Sequence, residues 1–214
     1  MAIIKKKTLY KEIADNLRDM IIAGKLKEGD KIKEEALCSL MGTSRTPLRE
    51  AIRVLSSEGL IELIPNHGAY VSKPTFVEIK EMFDVMTVLE GVCARTAAEK
   101  MNDKALSTLE KLHKKLEEKR DQRDQKEYIR YNNQYHSFVQ ELAGNRTLNQ
   151  IVNGLRQKIL LYRYQSLSLP GRFEDSIQEH RELLEAFRRR DPEKAETLMK
   201  IHLKKQCAAL GKLT

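Results

Sequence analysis

Apolar residues recur at helical spacing along most of the chain. Leu9, Ile13, Leu17 and Ile21 make one stripe over 8–23, which Gly24 closes. Gly29-Asp30 sits in a turn, and Leu37, Leu40 and Met41 then mark a short second helix over 34–41. Gly42-Thr43-Ser44 leads into a third helix, whose apolar face is Leu48, Ile52 and Leu55 at i, i+4 and i+7. Ser44 suits an N-cap, its hydroxyl accepting from a free backbone N–H, and Pro47 falls in the first turn, where a missing N–H costs little. After Gly59 the pattern changes to alternation over 60–64, a Pro65-Asn66-His67-Gly68 turn and alternation again over 69–72, which predicts a β-hairpin. Helix, tight turn, helix and hairpin in this order predict a winged helix-turn-helix over residues 1–73.

Beyond Pro74 the helical period returns and stays. Thr75 and Glu78 form a capping box, opening a helix to about residue 100 through Ile79, Met82, Phe83, Met86, Leu89, Val92 and Cys93. Asn102 or Asp103 caps a charged helix through Leu106, Leu109, Leu112 and Leu116. Further helices are expected over 128–142, 148–164, 175–190 and 191–210, separated by Gly144-Asn145, the Ser168-Leu169-Pro170-Gly171 loop and Asp191-Pro192. The expectation is a mainly α protein: a winged helix-turn-helix followed, over 74–214, by an all-α bundle of six helices.

Composition narrows the class without locating a site. A net charge of +8 leans toward an anionic partner, but residues 1–74 hold 13 basic and 10 acidic side chains against 26 and 21 in the remainder. The excess is spread, so position must identify the contact surface. Three scattered cysteines give neither a disulfide framework nor zinc spacing and fit a reducing cytoplasm. No run is long enough for a signal peptide or a membrane span. Lys5, Lys6 and Lys7 are expected to act at most as an arm attracted to phosphates regardless of sequence.

Two constellations carry chemistry. Ser44, Arg45, Thr46, Arg49 and Arg53 lie off the apolar face of the third helix, and guanidinium forks match phosphate oxygens and the O6/N7 edge of guanine. An ordinary solvated arginine face would look the same in isolation. In the bundle, Asn132 and His136 are spaced i, i+4, with His180 and His202 in the last two helices. Antiparallel packing would converge three imidazoles and an amide oxygen, a set suited to Zn, Ni or another divalent transition metal. Histidines satisfied in a core would give the same spacing. His113 has no partner in register and is expected at the surface.

The run Gly29-Asp30-Lys31-Ile32, Glu34, Leu37, Ser44-Arg45-Thr46-Pro47-Leu48-Arg49-Glu50-Ala51, Leu55, Gly59-Leu60-Ile61, Gly68 and Val71 resembles the winged helix-turn-helix of the GntR superfamily. The resemblance implies base or phosphate contacts from Arg45 and Arg49, and approach of His67-Gly68 to the minor groove. Glu35 stands where some members carry another arginine, so the operator sequence cannot be carried over; Lys33 is the nearest substitute. The blocks Asn132-Asn133-Gln134-Tyr135-His136, Gly144-Asn145, 179–186 and His202-Leu203 resemble the FCD ligand-sensing domain of the FadR subfamily, and the expected six helices and short length look more like its VanR-type branch than FadR itself. That resemblance implies a divalent metal on Asn132, His136, His180 and His202. Asn132 replaces the commoner carboxylate, which should weaken metal binding and favour an anionic effector. Met86 stands where many relatives carry an arginine that clamps a carboxylate, leaving Arg95, Arg156 or Arg163 to substitute.

The function expected is a homodimeric regulator that binds a palindromic double-stranded DNA operator and answers to a small organic acid. Its rivals are a regulator whose bundle only dimerises and a helical metalloenzyme. The sequence has no HExxH, and no carboxylate obviously stands beside the histidines as a general base.

Overall fold

The computed structural model describes residues 9–212. The Lys5-Lys6-Lys7 arm lies outside them. The chain divides into two compact units, Met1–Pro74 and Thr75–Thr214.

In the first unit α1 (Leu9–Ile22), α2 (Glu34–Met41) and α3 (Arg45–Ser57) precede β1 (Ile61–Ile64) and β2 (Gly68–Val71). Ile13, Leu17 and Ile21 of α1 meet Leu48, Ile52 and Leu55 of α3 in a buried core, as their spacing dictates. Arg18 of α1 adds an ion pair to Glu58 at the end of α3, at 2.8 Å. Gly42 takes the left-handed conformation (φ 59°) that ends α2 and turns the chain into α3. The hairpin pairs antiparallel from Ile61↔Val71 to Ile64↔Gly68, and Gly68, at φ 107°, holds a backbone geometry that a side chain would strain.

The second unit contains α4 (Phe76–Glu99), α5 (Asp103–Asp121), α6 (Gln125–Ala143), α7 (Arg146–Lys158), α8 (Leu160–Leu167), α9 (Arg172–Arg188) and α10 (Pro192–Leu210), with no strand among its described residues. Five of these starts are set by side-chain caps. Thr75 and Glu78 form the reciprocal box, while Asn102, Asp124, Asn145 and Asp191 each accept from a first-turn N–H. Two sequence expectations need correction. The single helix over 148–164 is two helices, so the bundle has seven. The break falls at Ile159 (φ −93°, ψ 7°), a fully buried residue amid good helix formers, with no glycine or proline to announce it. His113 is buried, 5% exposed, because its helix packs against α9 along that side.

Candidate functional sites: an arginine helix and a buried histidine cluster

Ser44, Arg45, Thr46, Arg49 and Arg53 are all exposed on α3, opposite its buried face, and His67 and Gly68 are exposed at the hairpin tip. Ser44 has the backbone of an N-cap (φ −85°, ψ 168°) but its side chain makes no cap hydrogen bond, contrary to expectation. The third helical residue is Pro47, which has no N–H to donate, and that removes one of the two usual partners. The hydroxyl and the first-turn N–H groups therefore remain available to a phosphate oxygen. Arg49 is not free: its Nε donates to Glu34 Oε1 and Oε2 at 3.1 and 2.9 Å.

In the bundle, α6, α9 and α10 bring His136, His180 and His202 together. Ligating atoms from the three lie within 4.8 Å of one another, and all three residues are buried. Ring centroids are 4.8–5.4 Å apart. His136 Nδ1 lies 2.8 Å from Glu90 Oε2, and His202 Nδ1 lies 2.7 Å from Glu179 Oε2. A carboxylate accepts only, so each Nδ1 carries the proton and each Nε2 keeps its lone pair. His136 Nε2 is buried without a partner among the described residues. Two imidazoles oriented by carboxylates beside a third are a donor set that a transition metal takes.

Both carboxylates are tied to arginines. Glu90, 1% exposed, accepts from Arg156 Nε and Nη2 at 2.7 Å each. Glu179 accepts from Arg172 at 2.9 and 3.1 Å. Burial pushes the Glu90 carboxyl up, but Arg156 and His136 outweigh it and hold it far below the usual carboxylate range. Burial likewise raises Glu179, and His202 with Arg172 outweighs it. Neither is a free base. Burial, then Arg156, pushes His136 down to about 3, and burial also lowers His180 and His202, so the imidazoles are neutral near pH 7.

Asn132 does not present its oxygen to the cluster. Arg163 Nη2 donates to Asn132 Oδ1 and Nη1 to Asn133 Oδ1, while Asn132 Nδ2 donates to His180 Nε2 at 2.7 Å. Arginine can only donate, which fixes the amide's orientation. A metal on His180 Nε2 must displace that N–H, and three imidazoles are what the site offers. Arg163 is fully buried against two amide oxygens with no carboxylate bonded to it among the described residues, and burial, then Arg156, lowers it to about 9. Of the candidate anion-binding arginines, Arg156 and Arg163 reach this region. Arg95 does not: it is 45% exposed and pairs with Glu99, Glu193 and Glu196. Met86 is core, 1% exposed.

Glu90, Glu179 and Arg172 were missed by the sequence reasoning. Glu90 left a signal: it falls on the buried stripe Phe83, Met86, Glu90, Ala94, where a charge demands a partner. The partner, Arg156, is 66 residues away and carries no local mark.

A winged helix with a solvent-facing arginine helix, joined to a helical bundle, defines a DNA-binding regulator with a separate second domain. The profile of the gntR family of bacterial regulatory proteins matches residues 9–71, and that of the FCD domain matches residues 81–205. The chain belongs to the GntR family of bacterial regulatory proteins and carries an FCD domain. It is 26% identical over 202 residues to YdhC of Bacillus subtilis, an HTH-type transcriptional regulator, covering 94% of this chain and 90% of that one. It is 25% identical over 189 residues to the HTH-type transcriptional repressor RspR of Escherichia coli K12, covering 87% and 82%. In fold it matches McbR/YncC of E. coli with a TM-score of 0.79 at 21% identity, over 97% of this chain and 99% of that one. A GntR regulator from Rhodococcus sp. RHA1 matches with a TM-score of 0.77 at 22% identity, over 96% and 98%. The chain is a transcriptional regulator rather than an enzyme, and none of its described helices is long and apolar enough to cross a membrane.

Proposed function

We propose that the chain is a homodimeric regulator whose hold on a palindromic operator is set by a small organic acid bound in the FCD domain beside a divalent metal, Zn or Ni. The observation that carries this reading is the pairing of two features in one buried region. Three neutral imidazoles converge, and next to them lies Arg163, a buried cation with no bonded carboxylate among the described residues. An isolated buried charge is costly, and an anionic effector would supply the missing partner. Bound there, the metal would add positive charge and a coordination position for an oxygen anion. His136, His180 and His202 would hold it, Glu90 and Glu179 would keep the rings aimed, and Arg163 with Arg156 would favour a carboxylate over a neutral molecule.

On the DNA side, Arg45 and Arg53 are suited to phosphates, Ser44 and Thr46 to the backbone at the helix start, Arg49 to a base edge, and His67-Gly68 to the minor groove. Two copies are needed to read two half-sites. Val85, Val88 and Val92, 43–57% exposed on one face of α4, provide an apolar strip for pairing of the bundles. The effector would shift the balance between two half-site spacings by its differential affinity for them.

The test is a melting-temperature matrix on purified protein: chelator alone, Zn or Ni, and each metal with a panel of small carboxylates. A metal-dependent rise, increased further by a subset of acids and abolished in His180→Ala, is the expected result. Melting indifferent to both metal and acid leaves the bundle with dimerisation alone.

A further inference from the structure

We propose that Glu34 is a positioning residue that turns Arg49 from a phosphate binder into a reader of guanine. The inference rests on the reading that α3 enters the major groove. Glu34 opens α2 and Arg49 lies in the second turn of α3, so the helix-turn-helix itself sets them side by side. The Nε of Arg49 is shared between both oxygens of Glu34, at 3.1 and 2.9 Å, while neither Nη has a partner among the described residues. Arg49 stays 60% exposed in this pair, so the outer edge of its guanidinium faces solvent. Arg45 and Arg53, on the same helix, make no ion pair among the described residues.

This geometry separates the two things an arginine can do on DNA. Attraction to phosphate scales with net charge and is felt at any sequence. Next to a carboxylate that net charge is cancelled, so Arg49 gains little from the backbone. A guanine edge is a pair of uncharged acceptors, O6 and N7, and binds the N–H dipoles themselves. Glu34 occupies the Nε side of the fork and leaves Nη1 and Nη2 to face outward, the edge that spans two adjacent acceptors. Holding the side chain also removes ordering that a free arginine would have to undergo on binding. Arg45 and Arg53 then supply affinity, and the Glu34–Arg49 pair supplies discrimination. Glu35, alongside, adds no competing cation at the start of α2.

The experiment selects an operator for the full chain from a random duplex library. Affinity for that operator and for a scrambled duplex is then measured against salt, for wild type, Glu34→Gln, Arg49→Ala and the double variant. Glutamine keeps an acceptor for Nε and removes only the charge. Glu34→Gln is expected to bind the scrambled duplex more tightly and to steepen its log K against log salt slope by about 0.9. It should lower the operator-to-scrambled ratio by roughly 3- to 10-fold, a part of one bidentate base contact. In the Arg49→Ala background the same substitution should leave the ratio unmoved. An unaltered ratio in Glu34→Gln, or an equal fall with and without Arg49, overturns the role of Glu34. A chain that enriches no sequence at all overturns the groove reading, and this proposal with it.

Discussion

Replacing Glu90 with glutamine is the severest test of the buried network. The carboxylate is 1% exposed and accepts three short hydrogen bonds, two from Arg156 at 2.7 Å and one from His136 Nδ1 at 2.8 Å. Glutamine nearly preserves volume, yet turns one acceptor into a donor that faces other donors. Arg156 cannot give up its proton, so its charge remains buried without a counter-charge. Breaking such a pair from one side costs about 3–5 kcal/mol, against a total stability of about 5–15 kcal/mol for a typical protein. At roughly 2–4 °C per kcal/mol for a chain this size, the melting temperature of the metal-free protein should fall by roughly 6–20 °C. His136 also loses the group that fixes its tautomer, and metal affinity should fall about 10- to 100-fold in a chelator competition. The control is Glu90→Leu with Arg156→Met, which removes both charges and should recover most of the stability, since an apolar pair of similar volume is often neutral. A single variant within about 1 kcal/mol of wild type in urea, or a double variant as damaged as the single, would refute the reasoning.

Acid should destabilise the metal-free protein well before its carboxylates protonate. His136 stays neutral in the folded state down to about 3, whereas the unfolded chain takes up the proton near 6.5. Stability from this one group is therefore whole above pH 6.5 and falls by about 1.4 kcal/mol per pH unit below it, with His180 and His202 shifted the same way. Urea midpoints that stay flat between about pH 7.5 and 5.5 would count against burial of neutral imidazoles. Val88→Asp, placing a charge in the centre of the exposed α4 strip, should convert a dimer to monomer in sedimentation; an unchanged sedimentation coefficient would move the interface elsewhere.

The DNA-binding unit was largely legible in the sequence because its determinants are local. Leu48, Ile52 and Leu55 fix the buried face of α3, which places Arg45, Arg49 and Arg53 on the other side whatever else the chain does. Gly42, Gly68, Thr75 and Asn102 act through their own backbone or within one turn, and they mark boundaries that the structure keeps. His136, His180 and His202 could be named as candidates, with a metal or a satisfied core both open.

What only the tertiary structure decided depends on partners distant in the chain. Ile159 breaks a helix that its sequence would continue, because packing there outweighs local propensity. His113 is drawn inside by α9, and Arg95 is held outside by Glu196, 101 residues on. Asn132 gives its oxygen to Arg163, 31 residues away, a choice that i, i+4 spacing to His136 cannot reveal. Periodicity reports which face of an element is buried; it does not report which charges meet once the faces close. Desolvation makes those meetings decisive, so the electrostatics of this site were set by the packing of the bundle.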